Sequence, residues 1–249
     1  CLMKDGDSII TSYRDHGLML ASGSDPKIVM AELMGKSTGC SKGKGGSMHM
    51  FDLKNGFFGG HGIVGAQVPL GTGIAYANKY KKNDGVVCVY FGDGAANQGQ
   101  VYEAFNMASL WGLSVIYIIE NNEYAMGTSV ARSTSATDLY KRGESFNIPG
   151  MRIDGLDFFS VVDGAREAFN HCRAGKGPIL IEMKTYRYRG HSMSDPAKYR
   201  TKEEVDNIKQ NHDPIERLKE YLVDKNILSE EECSKCDDEI RAIVQDSVD

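Results

Sequence analysis

The sequence predicts an α/β protein, with an open, mostly parallel sheet flanked by helices and a C-terminal helical tail. Three observations carry this. Short β-branched apolar segments alternate with helix-period segments through the middle of the chain. Gly92-Asp93-Gly94 follows directly on one such strand. Residues 201–249 have helical patterning with an acidic excess and no strand signal.

Residues 86–91, 114–119 and 178–185 read as buried strands, with a short fourth at 151–153. Helical patterns fall at 68–82, 98–111 and 158–174. Strands alternating with helices imply right-handed βαβ units and a parallel sheet covered on both faces. Residues 35–65, 127–147 and 187–199 lack a clear period and read as loops. Loops this long in a compact domain are usually functional. In the tail, Asp213 is placed to cap a helix with Pro214 at its first position, and Ile215, Leu218 and Leu222 form its apolar face. Ser229 and Glu232 have capping-box spacing. The organisation expected is a ligand-binding domain over residues 1–200 and a helical extension over 201–249 packed on it.

With 249 residues, 41% of them hydrophobic, the chain can bury one sizeable core. No apolar run approaches the ~20 residues that span a bilayer, and no signal peptide is visible. The chain begins at Cys1 rather than Met, which leads to the expectation of a fragment or processed product. Net charge is −5, but the tail holds 15 acids and 7 bases, leaving the body at +3. No basic stripe points to nucleic acid. The cysteines are scattered, unlike a secreted disulfide framework, so a reducing compartment is expected. Cys233 and Cys236 form a lone C-x-x-C without a second ligand pair. They fall in phase with Ile240 and Ile243, so helix packing is expected of them.

The motif that carries chemistry begins Gly92-Asp93-Gly94 and ends Asn121-Asn122. The 26 residues between Gly94 and Asn121 hold one helix and one strand. Asp93 and Asn122 should therefore emerge together at the carboxyl edge of the sheet, where open α/β sheets bind ligands. A carboxylate and an amide oxygen are hard ligands suited to Mg²⁺, which completes its octahedron with phosphate oxygens and water. Gly92 and Gly94 let backbone approach a phosphate, and Ala95, Ala96 and Asn97 lead into a helix whose first amides favour an anion. The residues alone give a Mg²⁺-diphosphate site. The plain alternative is a strand-end turn, since Asp-Gly is a common turn dipeptide. Gly60-His61-Gly62-Ile63-Val64-Gly65 fits the dinucleotide pattern G-x-G-x-x-G, but the residues before it read as loop, and the pattern requires a strand there.

Gly-Asp-Gly, this spacer and Asn-Asn resemble the thiamine-diphosphate signature. Longer strings are more specific: Tyr13-Arg14-Asp15-His16-Gly17, Gly43-Lys44-Gly45-Gly46-Ser47-Met48-His49, Gly62-Ile63-Val64-Gly65-Ala66-Gln67 and Gly190-His191-Ser192-Met193-Ser194-Asp195-Pro196. In order and across nearly the whole chain, they resemble the alpha subunits of the pyruvate dehydrogenase component of 2-oxo acid dehydrogenase complexes. The resemblance implies the thiamine-diphosphate-binding fold. Asp93, Asn122 and the Tyr124 carbonyl would hold Mg²⁺, and Gly94 and Ala95 would meet the diphosphate through backbone. Tyr13, Arg14 and His191 would bind the diphosphate as well, and Gly62 and Val64 would contact the aminopyrimidine. His16 and His49 are structural or substrate-side.

The activity so implied is oxidative decarboxylation of pyruvate, with the acetyl unit passed to a lipoyl group on an acyltransferase component. The glutamate that activates the aminopyrimidine is expected on a separate beta chain, in an α2β2 assembly. An N-terminal segment usual in the family is absent from this sequence. The compartment expected is a bacterial cytoplasm, or a mitochondrial matrix in a eukaryote. Ser192 and Ser129 match serines phosphorylated in eukaryotic relatives, and a phosphate beside His191 would repel the diphosphate. Rival readings are an acetoin or branched-chain 2-oxo acid enzyme and, in another class, a non-catalytic Mg²⁺-phosphate-binding module.

Overall fold

The computed structural model of the protein describes residues 2–249. Its strands are β1 (Ser8–Ser12), β2 (Phe57–His61), β3 (Val87–Gly92), β4 (Val115–Asn121), β5 (Tyr124–Ala125), β6 (Thr128–Ser129), β7 (Gly150–Asp154) and β8 (Ile179–Lys184). Its α-helices are α1 (His16–Ala21), α2 (Pro26–Leu33), α3 (Gln67–Tyr80), α4 (Gly99–Leu110), α5 (Val130–Ser133), α6 (Phe158–Arg173), α7 (Lys202–His212), α8 (Pro214–Asp224) and α9 (Glu230–Val248). Six strands form one sheet in the order β2-β1-β3-β4-β8-β7, and every neighbouring pair is parallel. β5 and β6 make a small antiparallel hairpin.

Side chains alternate across the sheet, as the two-residue period of a strand requires. Val87, Val89 and Phe91 of β3, with Val115, Tyr117 and Ile119 of β4, pack with Val68 and Ala75 of α3 and Val101, Ala104 and Phe105 of α4. Cys88, Ile116 and Ile118 belong to the opposite core, with Met19, Val29, Ala168, Phe169 and Cys172. A Cβ on Gly71 would lie 2.4 Å from a methyl of Val89, so glycine sets how closely α3 approaches the sheet. The Tyr117 hydroxyl, inside this core, lies 2.6 Å from Thr72 Oγ1.

The predicted strands and helices are present with shifts of one or two residues at their ends. The reading of 35–65 as a single loop is corrected, because β2 lies within it and pairs with β1. Gly59 and Gly60 mask this edge strand, since glycine carries no strand propensity. The reason for setting aside the dinucleotide pattern fails with it: a strand does lead into Gly62, and α3 follows. Gly60 nonetheless lies inside the strand, not in the turn after it, so the first glycine of the pattern is out of place. The 127–147 segment is likewise not all loop, holding β6, α5 and a 3-10 turn over Leu139–Phe146.

In the tail, Asp213 accepts from the amides of Ile215 and Glu216, and Ser229 and Glu232 form a capping box. Arg217 anchors α8 by donating to Asp157 at 2.9 Å, and Tyr221 packs on Phe159. Lys27 pairs with Asp246 at 2.8 Å, holding α9 to α2. The expected packing of the apolar stripes is corrected in part, since Leu218, Leu222 and Cys233 are only half-buried. Ile215 is 75% exposed, Ile240 55% and Ile243 49%, and Cys236 is exposed. Helical period marks a face, but it does not say what covers it. Among the described residues, no helix is long and apolar enough to cross a membrane.

Candidate active site

The chain runs from β1 outward to β2, then returns to β3 on the other side of β1. This reversal leaves a crevice beyond the carboxyl ends of β1 and β3, the usual ligand position in open α/β sheets. A cavity of about 490 Å³ opens there. Its wall takes Tyr13 and Arg14 from the end of β1, Val64 from beyond β2, Asp93, Gly94 and Ala95 from beyond β3, Asn122 and Tyr124 from beyond β4, and His191 from the loop after β8. Gly62 and His16 are not among its lining residues. Gly62 instead backs onto the His49 ring, 3.1 Å from where a Cβ would sit. His16 Nε2 is bonded to Ser47 Oγ at 2.8 Å.

Asp93 is buried at 4% exposure. Burial pushes its pKa up, against backbone hydrogen bonds and the charges of Arg187 and Lys184. Asn121 and Asn122 divide their labour. The Asn121 amide donates to the buried Glu182 at 2.7 Å and its oxygen accepts from Glu123 N. Asn122 Oδ1 accepts from Tyr124 N at 3.2 Å, closing a turn in which Glu123 adopts a φ of +74°. The pair thus brings the Tyr124 carbonyl and the Asn122 side chain toward the strand end that carries Asp93. A Cβ on Gly94 would fall 2.6 Å from the Ala125 Cβ, so glycine lets these two loops touch.

Opposite the carboxylate lies a donor group. Arg14 Nη2 donates to the His191 carbonyl at 2.7 Å, and the Tyr13 hydroxyl lies 3.4 Å from His191 Nε2. Burial lowers the His191 pKa, and the nearby Arg14 and Arg187 lower it further. The loop carrying His191 is gathered by Asp195, which accepts from His191 N at 2.6 Å, the Tyr199 hydroxyl at 2.8 Å and Ala197 N at 2.9 Å. Ser192 is exposed beside His191.

Among the lining residues not anticipated as functional are Arg187 and Glu120. Arg187 is buried and donates to the carbonyl of Tyr124. Glu120 borders the cavity with its pKa pushed up to about 7 by burial, despite the opposing charge of Arg14. Glu120 directly precedes the Asn pair and reads in sequence as spacer. Arg187 stands three residues past β8, and a strand-end cation was the available signal. Among the described residues, no cluster of three or more His, Cys, Asp or Glu could hold a metal. A carboxylate, an amide oxygen and a carbonyl remain, a set suited to a hard oxygen-seeking cation and not to zinc.

Residues 1–249 match the family model described as dehydrogenase E1 component. The pyruvate dehydrogenase E1 component subunit alpha of Rhizobium meliloti (strain 1021) is 62% identical over 99% of this chain and 71% of its own length. That of Rickettsia prowazekii (strain Madrid E) is 56% identical over 100% of this chain and 76% of its own. The mitochondrial subunit of Dictyostelium discoideum is 56% identical over 94% and 62%.

Proposed function

The chain belongs to the dehydrogenase E1 component family, and from that premise we propose that it is the diphosphate-binding alpha subunit of a thiamine-diphosphate- and Mg²⁺-dependent pyruvate dehydrogenase. The observation that carries the reading is the pairing, in one cavity, of the buried Asp93 carboxylate with the Tyr13, Arg14 and His191 donors. A cation beside Asp93 and a diphosphate beside the donors each answer a cost the protein otherwise bears. These are a desolvated carboxylate and a guanidinium at a crevice mouth.

The residues fit the cofactor. Asp93, Asn122 and the Tyr124 carbonyl would hold Mg²⁺. Gly94 and Ala95 would meet the diphosphate through backbone, and Tyr13, Arg14 and His191 through side chains. Gly62 and Val64 would lie along the aminopyrimidine. When bound, thiamine diphosphate supplies the nucleophile and electron sink for decarboxylation of a 2-oxo acid. This chain orients the diphosphate, excludes water from Asp93, and sets His191 beside the Arg14 cation, where its pKa is lowered by burial and by that charge. His191 and His16 are the side chains proposed to act on the substrate side.

A beta chain would supply the remaining half of the site, in an α2β2 assembly that passes the acetyl unit to a lipoyl acyltransferase component. Residues 1–200 would act as the binding domain and 201–249 as the extension packed on it. The deciding experiment is pyruvate decarboxylation by the protein assembled with its beta chain, with and without thiamine diphosphate and Mg²⁺. Turnover that requires both is expected. Turnover of acetoin or a branched-chain 2-oxo acid in preference to pyruvate would overturn the substrate, and absence of cofactor binding would overturn the site.

A further inference from the structure

The segment from Gly35 to Gly46 is rich in glycine and lysine and has the composition of an anion cradle. The anion it cradles is internal. Glu32, in the last turn of α2, is fully buried. Its Oε2 accepts from the amides of Ser41 and Gly43, both at 2.8 Å, and its Oε1 from those of Gly45 at 2.7 Å and Gly46 at 3.1 Å. A carboxylate has about four acceptor sites, so these amides fill it. Burial alone would raise its pKa. The four amide bonds together outweigh burial and hold the carboxyl below its ordinary range.

Glycine is required by the wrapping. A Cβ on Gly39 would sit 2.5 Å from the Glu32 Cα, and one on Gly45 would sit 2.0 Å from the His49 carbonyl oxygen. Gly43 has a φ of +73° and lies against the Gly35 carbonyl.

The wrapped segment sets its neighbours against the strand ends that lead into the cavity wall. Ser41 Oγ donates to the His49 carbonyl at 2.8 Å, and His49 Nδ1 lies 3.2 Å from the Gly60 carbonyl. Ser47 holds His16, and Met50 N donates to Asp15 at 3.4 Å. Asp15 and His16 follow Arg14 in sequence, and Gly60 precedes Val64, so these contacts brace the ends of β1 and β2 where both wall residues emerge.

We propose that Glu32 is a positioning residue. It is an internal anion that folds residues 41–46 and, through Ser47, His49 and Met50, fixes the strand ends bearing Arg14 and Val64. The inference rests on the proposed function only for what the cavity binds.

The test uses the complete protein assembled with its partner chain. Glu32→Gln keeps the length of the side chain but turns an amino group toward amide donors. Hydrogen exchange in residues 41–46 should quicken about tenfold or more as charge-assisted bonds are lost, while β3 and β4 keep their protection. The thiamine diphosphate concentration for half-maximal activity should rise about tenfold, and kcat at saturation should stay within about threefold. Glu32→Asp, which keeps the charge on a shorter stem, should fall between the two.

Unchanged exchange in Glu32→Gln overturns the role of the carboxylate. Quickened exchange with unchanged cofactor requirement overturns the positioning. Should Glu32→Gln not fold, Gly45→Ala pushes on His49 with Glu32 intact, and an unchanged cofactor requirement in that variant overturns the positioning as well. Wild-type protein that binds no cofactor overturns the proposed function alone, because the exchange measurement does not depend on it.

Discussion

Arg187 Nη1 donates to the carbonyl oxygen of Tyr124 at 3.0 Å. That hydrogen bond ties the loop after β8 to the turn after β4, two neighbouring segments that both line the cavity. It also fixes the direction of the carbonyl proposed as the third protein ligand of Mg²⁺.

Arg187→Lys removes the planar fork but keeps the charge. Because hydrogen bonds to charged groups contribute about 1.5–3 kcal/mol, Mg²⁺-dependent affinity for thiamine diphosphate should fall about 10- to 100-fold. Calorimetric titration measures it directly, and an unchanged affinity would remove Arg187 from the site.

Asp93→Asn should abolish Mg²⁺-dependent cofactor retention while leaving the sheet folded, with a loss of at least ~100-fold in affinity. Chelation of Mg²⁺ from the wild-type complex should reproduce the loss. Cofactor retained by Asp93→Asn through gel filtration would place the metal elsewhere.

The loop over 187–199 depends on Asp195, whose carboxyl is held at about 2, below its ordinary value of 3.8, first by the His191 amide and then by Ala197 N and the Tyr199 hydroxyl. A folded pKa below the unfolded one contributes stability that is complete above 3.8 and lost as pH falls toward 2. At neutral pH, Asp195→Asn should speed tryptic cleavage at Arg189 and Lys198 and weaken cofactor binding about tenfold. Equal cleavage rates for variant and wild type would show that other contacts hold the loop.

Asp15 has the opposite sign. It is fully buried, one of its oxygens lacks a hydrogen-bond partner, and burial raises its pKa above 3.8. A raised folded pKa means the unfolded state binds fewer protons, so stability falls as pH climbs from 3.8 through the folded value. Asp15→Asn should therefore melt higher than wild type at pH 7, with the gap closing below 3.8. A lower melting temperature for the variant at pH 7 would show that the charge serves His16 and His49 instead.

Much of the sheet was legible because strands buried on both faces are nearly continuous apolar runs, as in β3, β4 and β8. β2 was not, because its sequence, Phe-Phe-Gly-Gly-His, trades propensity for close approach: the Phe51 ring occupies the space a Cβ on Gly59 would fill. In the tail, local signals served well for Asp213 and for Ser229 with Glu232, since capping is a contact within one turn. The apolar stripe of α9 was legible as a stripe and misread as packed, because its cover depends on a surface the helix does not encode.

For the site, the sequence by itself determined which strand ends come together. Gly92-Asp93-Gly94 and Asn121-Asn122, one strand-helix-strand unit apart, must reach the same sheet edge, because the two strands run parallel. Only the tertiary structure decided which distant residues join them. Arg187 and Glu120 enter the wall, and Gly62 and His16 are not among its lining residues, through strand order and loop packing. Glu32 shows the same division at longer range. Sequence marks a glycine-rich loop and an acid at a helix end, but nothing local says that the loop closes on that acid. Spacing fixes contacts made within a turn or across one crossover; contacts between segments brought together by the sheet order are decided when the chain packs.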